Sequence, residues 1–332
     1  MKEKVHETKH PWLVGAVMAG IGITYLVLLG QSGFQEPAES FEYNSEQFRE
    51  LDNIETNYDE VAKLDPKMNE PRAMTIAPDG RLYIAGENEV AVFKDDDEVE
   101  RFPIAGQAKC LDVSEDGSIY VGYNEYVAVY DPQGELAAEW SPLEGQPFIT
   151  AVAATDDYVY VGDAGNKVVI QYDLDGNIQR EIGRKNEEED IPGIEVPSPY
   201  LDLAVNDEGH LWVVNPGLLG FERYRPDGSL VTSWYRATLK LEGFSGCCNP
   251  TQMAFAPDGT LVTAEKGLVR IKTYEVTLGE FQELVAGSKL FPREQSLRDI
   301  AVDQAGRILA LDPRSDTVRI FQHKEKYDGQ RS

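Results

Sequence analysis

Two adjacent cysteines are the residues of this chain best suited to redox or metal chemistry. Cys247 and Cys248 stand in the segment FSGCCNP, residues 244–250, and Cys110 is the third cysteine. In an oxidising compartment thiols tend to pair, and an odd count leaves one over. The pair could form a disulfide between neighbours, one member could bridge to Cys110, or the thiols could bind a metal or another chain. Alternatively they stiffen a loop or fill apolar space, since their spacing matches no standard zinc or iron–sulfur motif.

Three carboxylates form a second group with chemical potential. Asp112 lies five residues before a recurring turn, and Asp202 and Asp299 lie seven residues before one. If the strands containing them line a channel, alternation should point these side chains toward its axis. Oxygen ligands of this kind suit a cation such as Ca²⁺. The simpler interpretation is a set of polar residues around water, so we expect no cofactor, with channel Ca²⁺ as the alternative.

Histidines are scarce. The chain has four, and His210 is the one within the repeats before the last strand. A site that used histidine for zinc binding or for general acid–base catalysis should contain several. We therefore interpret His210 as a surface turn residue and predict no catalytic residues.

A sequence motif that occurs six times would position these groups. Its first copy is AMTIAPDGRLYIAG. The turn residues of the six copies are spaced by 37 to 52 residues: Gly80, Gly117, Asp157, Gly209, Gly259 and Gly306. Apolar alternation on both sides of such a turn predicts a hairpin, and further strands follow each copy. The period matches a four-stranded propeller blade, so we predict an all-β, six-bladed β-propeller. The last copy lacks a fourth strand, and we expect Val61–Leu64 to supply it and close the ring.

One mouth of the predicted channel should gather the residues that precede the inner strands. These are Arg72, Lys109, Thr251 and Arg298, with Phe148, Tyr200, Cys247, Cys248 and Asn249 nearby. Basic residues on so acidic a chain favour an anion or an acidic segment of a partner, although they could equally be ordinary salt-bridge members. We expect this mouth to bind the partner or ligand.

The charge composition of the chain indicates which classes of binding partner to expect. The net charge of −27 argues against nucleic acid and anionic lipid, because phosphate binding depends on Lys and Arg. An acidic solvated surface, a salt-rich habitat or a basic partner protein would each explain that charge. The acidic, proline-containing segment 183–199 is expected to be a surface loop.

The N-terminal part contains a predicted membrane anchor. Residues 11–30 (PWLVGAVMAGIGITYLVLLG) are uncharged and mostly apolar over the length that spans a bilayer. Lys2, Lys4 and Lys9 precede them, which predicts a cytoplasmic N-terminus and a propeller outside the cytoplasmic membrane, periplasmic in a Gram-negative cell. The alternative is a cleaved signal peptide. The predicted organisation is residues 1–10 inside, 11–30 in the membrane, 31–59 as a stalk, 60–323 as the propeller and 324–332 as a polar tail.

The repeats resemble those of the NHL family. The phrase LRDIAVDQAGRILALDPRSDTVRIFQ, residues 297–322, carries the resemblance, which covers about residues 65–321. Departures are Asp157 in place of a turn glycine and Glu265-Lys266-Gly267 in blade five. The resemblance implies a six-bladed ring, whereas NHL-like and related propellers include binding modules and enzymes.

Two functions of different class remain. The favoured one is a membrane-tethered, non-catalytic protein-binding or scaffold subunit of a membrane-associated complex. The alternative is a redox-linked or metal-dependent enzyme or accessory that uses Cys247, Cys248 and the channel carboxylates.

Overall fold

Six four-stranded antiparallel sheets form the described part of the chain, as predicted. A computed structural model describes residues 54–291 and 296–325. The predicted membrane span, residues 11–30, lies outside these ranges, as do residues 1–10, most of the stalk and most of the tail. Within the described ranges, no helix has both the length and the apolar character needed to cross a bilayer.

The strands follow the order of the repeats. The first strand of the described residues is β1 (Tyr58–Leu64). Blade one contains β2 (Ala73–Ile76), β3 (Leu82–Ala85), β4 (Glu89–Lys94) and β5 (Asp97–Pro103). Blade two contains β6 (Cys110–Val113), β7 (Ile119–Gly122), β8 (Val127–Tyr130) and β9 (Leu136–Glu139). Blade three contains β10 (Ile149–Ala154), β11 (Val159–Asp163), β12 (Val168–Tyr172) and β13 (Ile178–Ile182).

The second half repeats this arrangement. Blade four contains β14 (Leu203–Val205), β15 (Leu211–Asn215), β16 (Gly220–Tyr224) and β17 (Leu230–Tyr235). Blade five contains β18 (Gln252–Phe255), β19 (Leu261–Ala264), β20 (Ile271–Glu275) and β21 (Glu280–Ala286), and a short 3₁₀ helix follows at Ser288–Leu290. Blade six contains β22 (Asp299–Val302), β23 (Ile308–Asp312) and β24 (Thr317–His323), completed by β1.

The conformation of the turn between the first two strands of a blade explains why this turn usually contains glycine and why blade three has Asp157 instead. Gly80 has φ +82°, a left-handed conformation that costs glycine little. In blade three the turn is shorter, because the Thr155 N–H donates to the Tyr158 carbonyl at 2.8 Å and the Thr155 hydroxyl accepts from the Tyr158 N–H at 3.0 Å. Asp157 is not among the residues with positive φ, so no glycine is required there.

Blade six is closed by the two ends of the propeller. Strand β1 pairs antiparallel with β24, from Tyr58 opposite His323 to Leu64 opposite Val318. Glu60 on β1 and the buried Arg319 on β24 form a bidentate ion pair, with the Arg319 Nε 3.0 Å from Glu60 Oε1. The prediction that Val61–Leu64 completes the sixth blade is confirmed, and the strand starts three residues earlier. Closure leaves no inner strand without neighbours on both sides.

Apolar packing between blades holds the ring together. Large aromatic side chains at the ends of outer strands press on turn glycines of the following blade. A Cβ atom at Gly176 would lie 2.4 Å from the Trp140 ring, and one at Gly279 would lie 2.4 Å from the Trp234 ring. Gly134 has the same relation to Phe102. Since no side chain fits there, these glycines let each blade seat against its neighbour.

Candidate functional site

The channel mouth, defined as the end at which the inner strands begin, collects equivalent residues from several blades. The backbone N–H groups of four of them donate to the last or penultimate carbonyl of the second strand. The bonds are Arg72 to Ala85 (2.8 Å), Lys109 to Gly122 (2.8 Å), Thr251 to Ala264 (2.8 Å) and Arg298 to Leu311 (3.0 Å). The same register in four blades places these residues at one end of the ring.

Three cations of this mouth form a continuous cluster. Arg298 lies 3.1 Å from Asp316 and also donates to the Pro71 carbonyl, next to Arg72. Arg72 pairs with Glu70, which also accepts from the Gln107 amide at 3.0 Å, and Lys109 donates to the Gln107 oxygen at 3.2 Å. The structure therefore joins the cations that precede blades six, one and two.

Mutual repulsion and burial affect the charge of this cluster. Partial burial lowers the pKa of Lys109, and the like charge of Arg72 acts in the same direction, while Glu70 opposes it. Burial also lowers the pKa of Arg298, with Asp316 opposing and Arg72 reinforcing that shift. Glu70 and Asp316 thus neutralise part of the positive charge of this cluster. The positive charge that is left would attract a bound anion.

At the mouth, a lysine ammonium group lies over the face of each of two aromatic rings. The Lys109 ammonium lies 5.6 Å from the centre of the Phe148 ring. On the other side of the mouth, the Lys266 ammonium lies 4.5 Å from the centre of the Tyr200 ring and donates to the Ser198 hydroxyl at 2.8 Å. Both arrangements are within the range of cation–π attraction. Sequence reasoning missed Lys266, although the unusual Glu265-Lys266-Gly267 turn was a signal.

Asn249 and Thr251 are buried, and their side chains form hydrogen bonds with the backbone of the segments that form the mouth. The Asn249 amide donates to the Ser245 carbonyl at 2.6 Å and the Lys266 carbonyl at 3.1 Å, and its oxygen accepts from the Lys266 N–H at 2.8 Å. The Thr251 hydroxyl is engaged with Gln252 and the Ala264 carbonyl. Asn249 therefore fixes the turn that presents Lys266.

All three cysteines are free thiols in the structure. Cys247 is exposed, Cys248 is buried, and their sulfur atoms lie 3.3 Å apart. This separation is longer than the roughly 2.05 Å of a disulfide, so the bond between them stays a prediction. Contact with the Cys248 thiol raises the pKa of Cys247, while Lys266 acts in the opposite direction. Cys110 packs in an apolar cluster with Ile149 and Val152.

The channel carboxylates reach the neighbouring blade instead of standing free in the channel. Asp299 accepts from the Met74 N–H at 2.7 Å, and Asp202 accepts from the Met253 N–H at 2.7 Å. Asp112 accepts from the Ala154 N–H at 2.9 Å and the Thr75 hydroxyl at 2.9 Å. These hydrogen bonds join each carboxylate to an adjacent inner strand, and the orientation of the side chains toward the channel axis stays a prediction.

Burial governs the protonation of these carboxyls. It raises the pKa of Asp202 to about 7, although two backbone N–H donors oppose the shift. It also raises the pKa of Asp112 and, reinforced by the charge of Asp202, that of Asp299. Residues 54–291 and 296–325 contain no group of three or more histidine, cysteine or acidic side chains that could hold a metal ion.

The two described histidines lie at the end opposite the mouth. His210 follows the turn between β14 and β15, with Nδ1 3.2 Å from Glu208, as expected for a turn residue. His323 ends β24, where its ring meets Tyr58 edge-on. Neither lies beside the cation cluster or the cysteine pair.

Known structures share this architecture at low sequence identity. No family model and no curated protein matches the chain. A streptogramin B lyase is 12% identical with a TM-score of 0.56, covering 79% of this chain and 96% of that one. A virginiamycin B lyase from Staphylococcus aureus is 16% identical with a TM-score of 0.53, covering 79% and 88%.

A WD40 domain is about equally similar. The WD40 β-propeller domain of Doa1 is 14% identical with a TM-score of 0.55, covering 76% of this chain and 79% of that domain. At such identities the likeness concerns the backbone alone, and one fold serves many activities. The comparisons therefore identify this chain as a β-propeller and extend no further than its fold.

Proposed function

We propose that this chain is a non-catalytic binding subunit of a membrane-associated complex, whose channel mouth takes an acidic segment of a partner protein. Residues 11–30 would anchor it in the cytoplasmic membrane with the propeller outside. The NHL-like repeats are consistent with this role, since propellers of that kind include protein-binding modules. No cofactor is part of the proposal.

The observation that carries it is the concentration of cations at one mouth. Arg72, Lys109, Arg298 and Lys266 surround this end of a chain whose net charge is −27. A chain with such an excess of acid repels acidic partners in general. A local cationic patch therefore gives both attraction and orientation to an acidic segment that reaches it.

The aromatic rings add a second element of recognition. Phe148 and Tyr200 are partly exposed at the mouth, each beneath a lysine. Flat rings supply contact area at small cost in conformational entropy, while the lysines supply charge. This combination fits an extended peptide with carboxylates and apolar side chains better than it fits a small inorganic anion.

The remaining chemistry of the ring supports a non-catalytic role. The channel carboxylates accept hydrogen bonds from the adjacent blade, and the described histidines lie at the opposite end. The alternative, a redox-linked or metal-dependent accessory, draws support from the 3.3 Å separation of the Cys247 and Cys248 sulfurs.

The experiment compares two charge-reversed variants of the full chain, solubilised in detergent from its native membranes. R72E/K109E reverses two mouth cations. K94E/R225E reverses one lysine and one arginine at strand ends on the opposite face, so the change in net charge is the same. Affinity purification with chemical cross-linking and mass spectrometry then identifies bound proteins and the segment each contributes.

We expect wild type and K94E/R225E to retain a partner cross-linked through an acidic segment at Lys266, and R72E/K109E to lose it at least tenfold (roughly 1.4 kcal/mol). Equal retention by both variants would refute the mouth as the binding surface. A wild-type chain that purifies alone from its membranes would refute the subunit role.

A further inference from the structure

We propose that Cys247 and Cys248 form a thiol–disulfide exchange site at the channel mouth, which takes a disulfide of another protein or a small molecule as its substrate. The two sulfurs are 3.3 Å apart, with Cys247 exposed and Cys248 buried. This role goes beyond binding a partner, because the chain would exchange electrons with its substrate.

The different exposure of the two thiols assigns their order of reaction. An incoming disulfide can reach Cys247, whereas Cys248 is completely buried behind it. Exchange needs a nucleophile that the substrate can approach and a second thiol within reach of the first. Cys247 is therefore the attacking thiol and Cys248 the resolving thiol.

The reaction balances without any further oxidant. Cys247 releases its proton to solvent, and its thiolate attacks one sulfur of the substrate. The substrate S–S bond breaks, the attacked sulfur forms a mixed disulfide with Cys247, and the other sulfur is expelled as a thiolate that solvent protonates. Cys248 then loses its proton and attacks the Cys247 sulfur, expelling the attacked substrate sulfur as a thiolate that is protonated by solvent. The substrate gains two electrons and two protons overall and its disulfide becomes two thiol groups, while the pair becomes a disulfide.

The loop that carries the pair is held in place by Asn249. Its side chain makes three hydrogen bonds, to Ser245 on one side of the pair and to the turn at Lys266 on the other. The loop therefore presents the two sulfurs in a defined arrangement.

The surroundings predict how the reaction responds to pH. Contact with Cys248 raises the pKa of Cys247, and the nearby Lys266 only partly offsets this. Because the thiolate is the nucleophile, its fraction and the rate of exchange should rise as the pH increases through the neutral and mildly alkaline range.

Cys110 provides an internal control. It is 7% exposed, packs against Ile149 and Val152, and burial raises its pKa well above the ordinary value. A buried thiol with little thiolate should stay unreactive under conditions that oxidise the mouth pair.

The test titrates the detergent-solubilised full chain with mixtures of reduced and oxidised glutathione, without any partner protein. After quenching, alkylation and mass spectrometry locate free thiols, mixed disulfides and internal disulfides. We expect Cys247 and Cys248 to lose alkylation together, to recover it with dithiothreitol, and to leave Cys110 reduced throughout. The Cys248→Ser variant should instead accumulate a glutathione mixed disulfide on Cys247, several-fold above wild type.

Three outcomes would overturn the proposal: thiols that stay free across the series, a wild-type chain that keeps glutathione on Cys247, or equal reaction of Cys110. Circular dichroism of the Cys248→Ser variant checks its fold, and the wild-type measurement stands alone if that variant is unfolded. Because no partner is present, failure here is distinguishable from failure of the proposed binding function.

Discussion

The channel and its mouth both contain clustered ionisable side chains, but these side chains differ in their bonding partners and in their exposure to solvent. In the channel, the carboxyls of Asp202 and Asp299 each accept a backbone N–H from the next blade at 2.7 Å. At the mouth, Arg72, Lys109 and Arg298 are paired in part with Glu70 and Asp316 and remain partly exposed. The first group joins blades, and the second is open to a ligand.

This difference separates stability from recognition within one ring. A buried acceptor bonded to backbone donors is costly to remove, because the donors lose their partner. Exposed ion pairs contribute little to folding, since water competes for both charges. Substitutions in the channel should therefore change the stability of the fold, whereas substitutions at the mouth should change binding.

The largest effect is expected for Asp299→Ala. The substitution leaves the N–H groups of Met74 and Ile300 without the carboxyl that now accepts from them, which should lower the free energy of unfolding by about 2–4 kcal/mol. Asp299→Asn, which keeps one oxygen acceptor, is the matched control and should lose less. Denaturant titration of the full chain measures both, and equal stability of all three proteins would show that the channel carboxyls do not join the blades.

A smaller effect is expected from the titration of Asp202. Burial raises its pKa from 3.8 to about 7 in the fold. Between those values the folded chain binds more protons at this carboxyl than the unfolded chain, so its contribution to the free energy of unfolding falls as pH rises. Relative to D202N, the wild type should lose about 1 kcal/mol of stability between about pH 5.5 and about pH 6.5.

Denaturant titrations of wild type and D202N at a series of pH values measure this difference directly. The other titrating groups occur in both proteins, so their contributions largely cancel. A difference that does not vary with pH would contradict a raised pKa for Asp202.

The smallest effect on stability is expected for R72E/K109E. Arg72 pairs with Glu70, a residue that is about half exposed, and Lys109 packs on Phe148 at the edge of the mouth. The free energy of unfolding should change by less than about 1 kcal/mol. A loss comparable to that of Asp299→Ala would mean that the mouth cations hold the ring together, and the contrast with the channel would fail.

Local pattern was sufficient to predict most of the architecture. Alternating apolar residues around recurring turns identified six hairpins, and the missing fourth strand of the last copy pointed to Val61–Leu64. Hydrogen bonding within a blade is set by residues close in sequence, which explains this success. Strand boundaries were less certain: the closing strand β1 begins at Tyr58, three residues before the predicted Val61.

Contacts between blades were harder to predict. The segment 183–199 was expected to be a surface loop, yet Ile194 and Val196 are 3% and 8% exposed and pack into the core between blades three and four. Lys266 was not recognised as part of the mouth, because its neighbours Tyr200 and Ser198 lie more than sixty residues away in the sequence. Such neighbours are set by the geometry of the ring.

The sequence by itself determined that the chain forms six blades with a shared closing sheet, because each blade is built from a local pattern repeated along the chain. Only the tertiary structure decided which charges join blades and which face the mouth. Asp202, Asp299 and Arg298 each meet a partner from another blade, and alternation within one strand does not identify that partner. The same holds for the cysteine pair: adjacency is written in the sequence, whereas the exposure of Cys247 and the burial of Cys248 depend on how the loop folds against the ring.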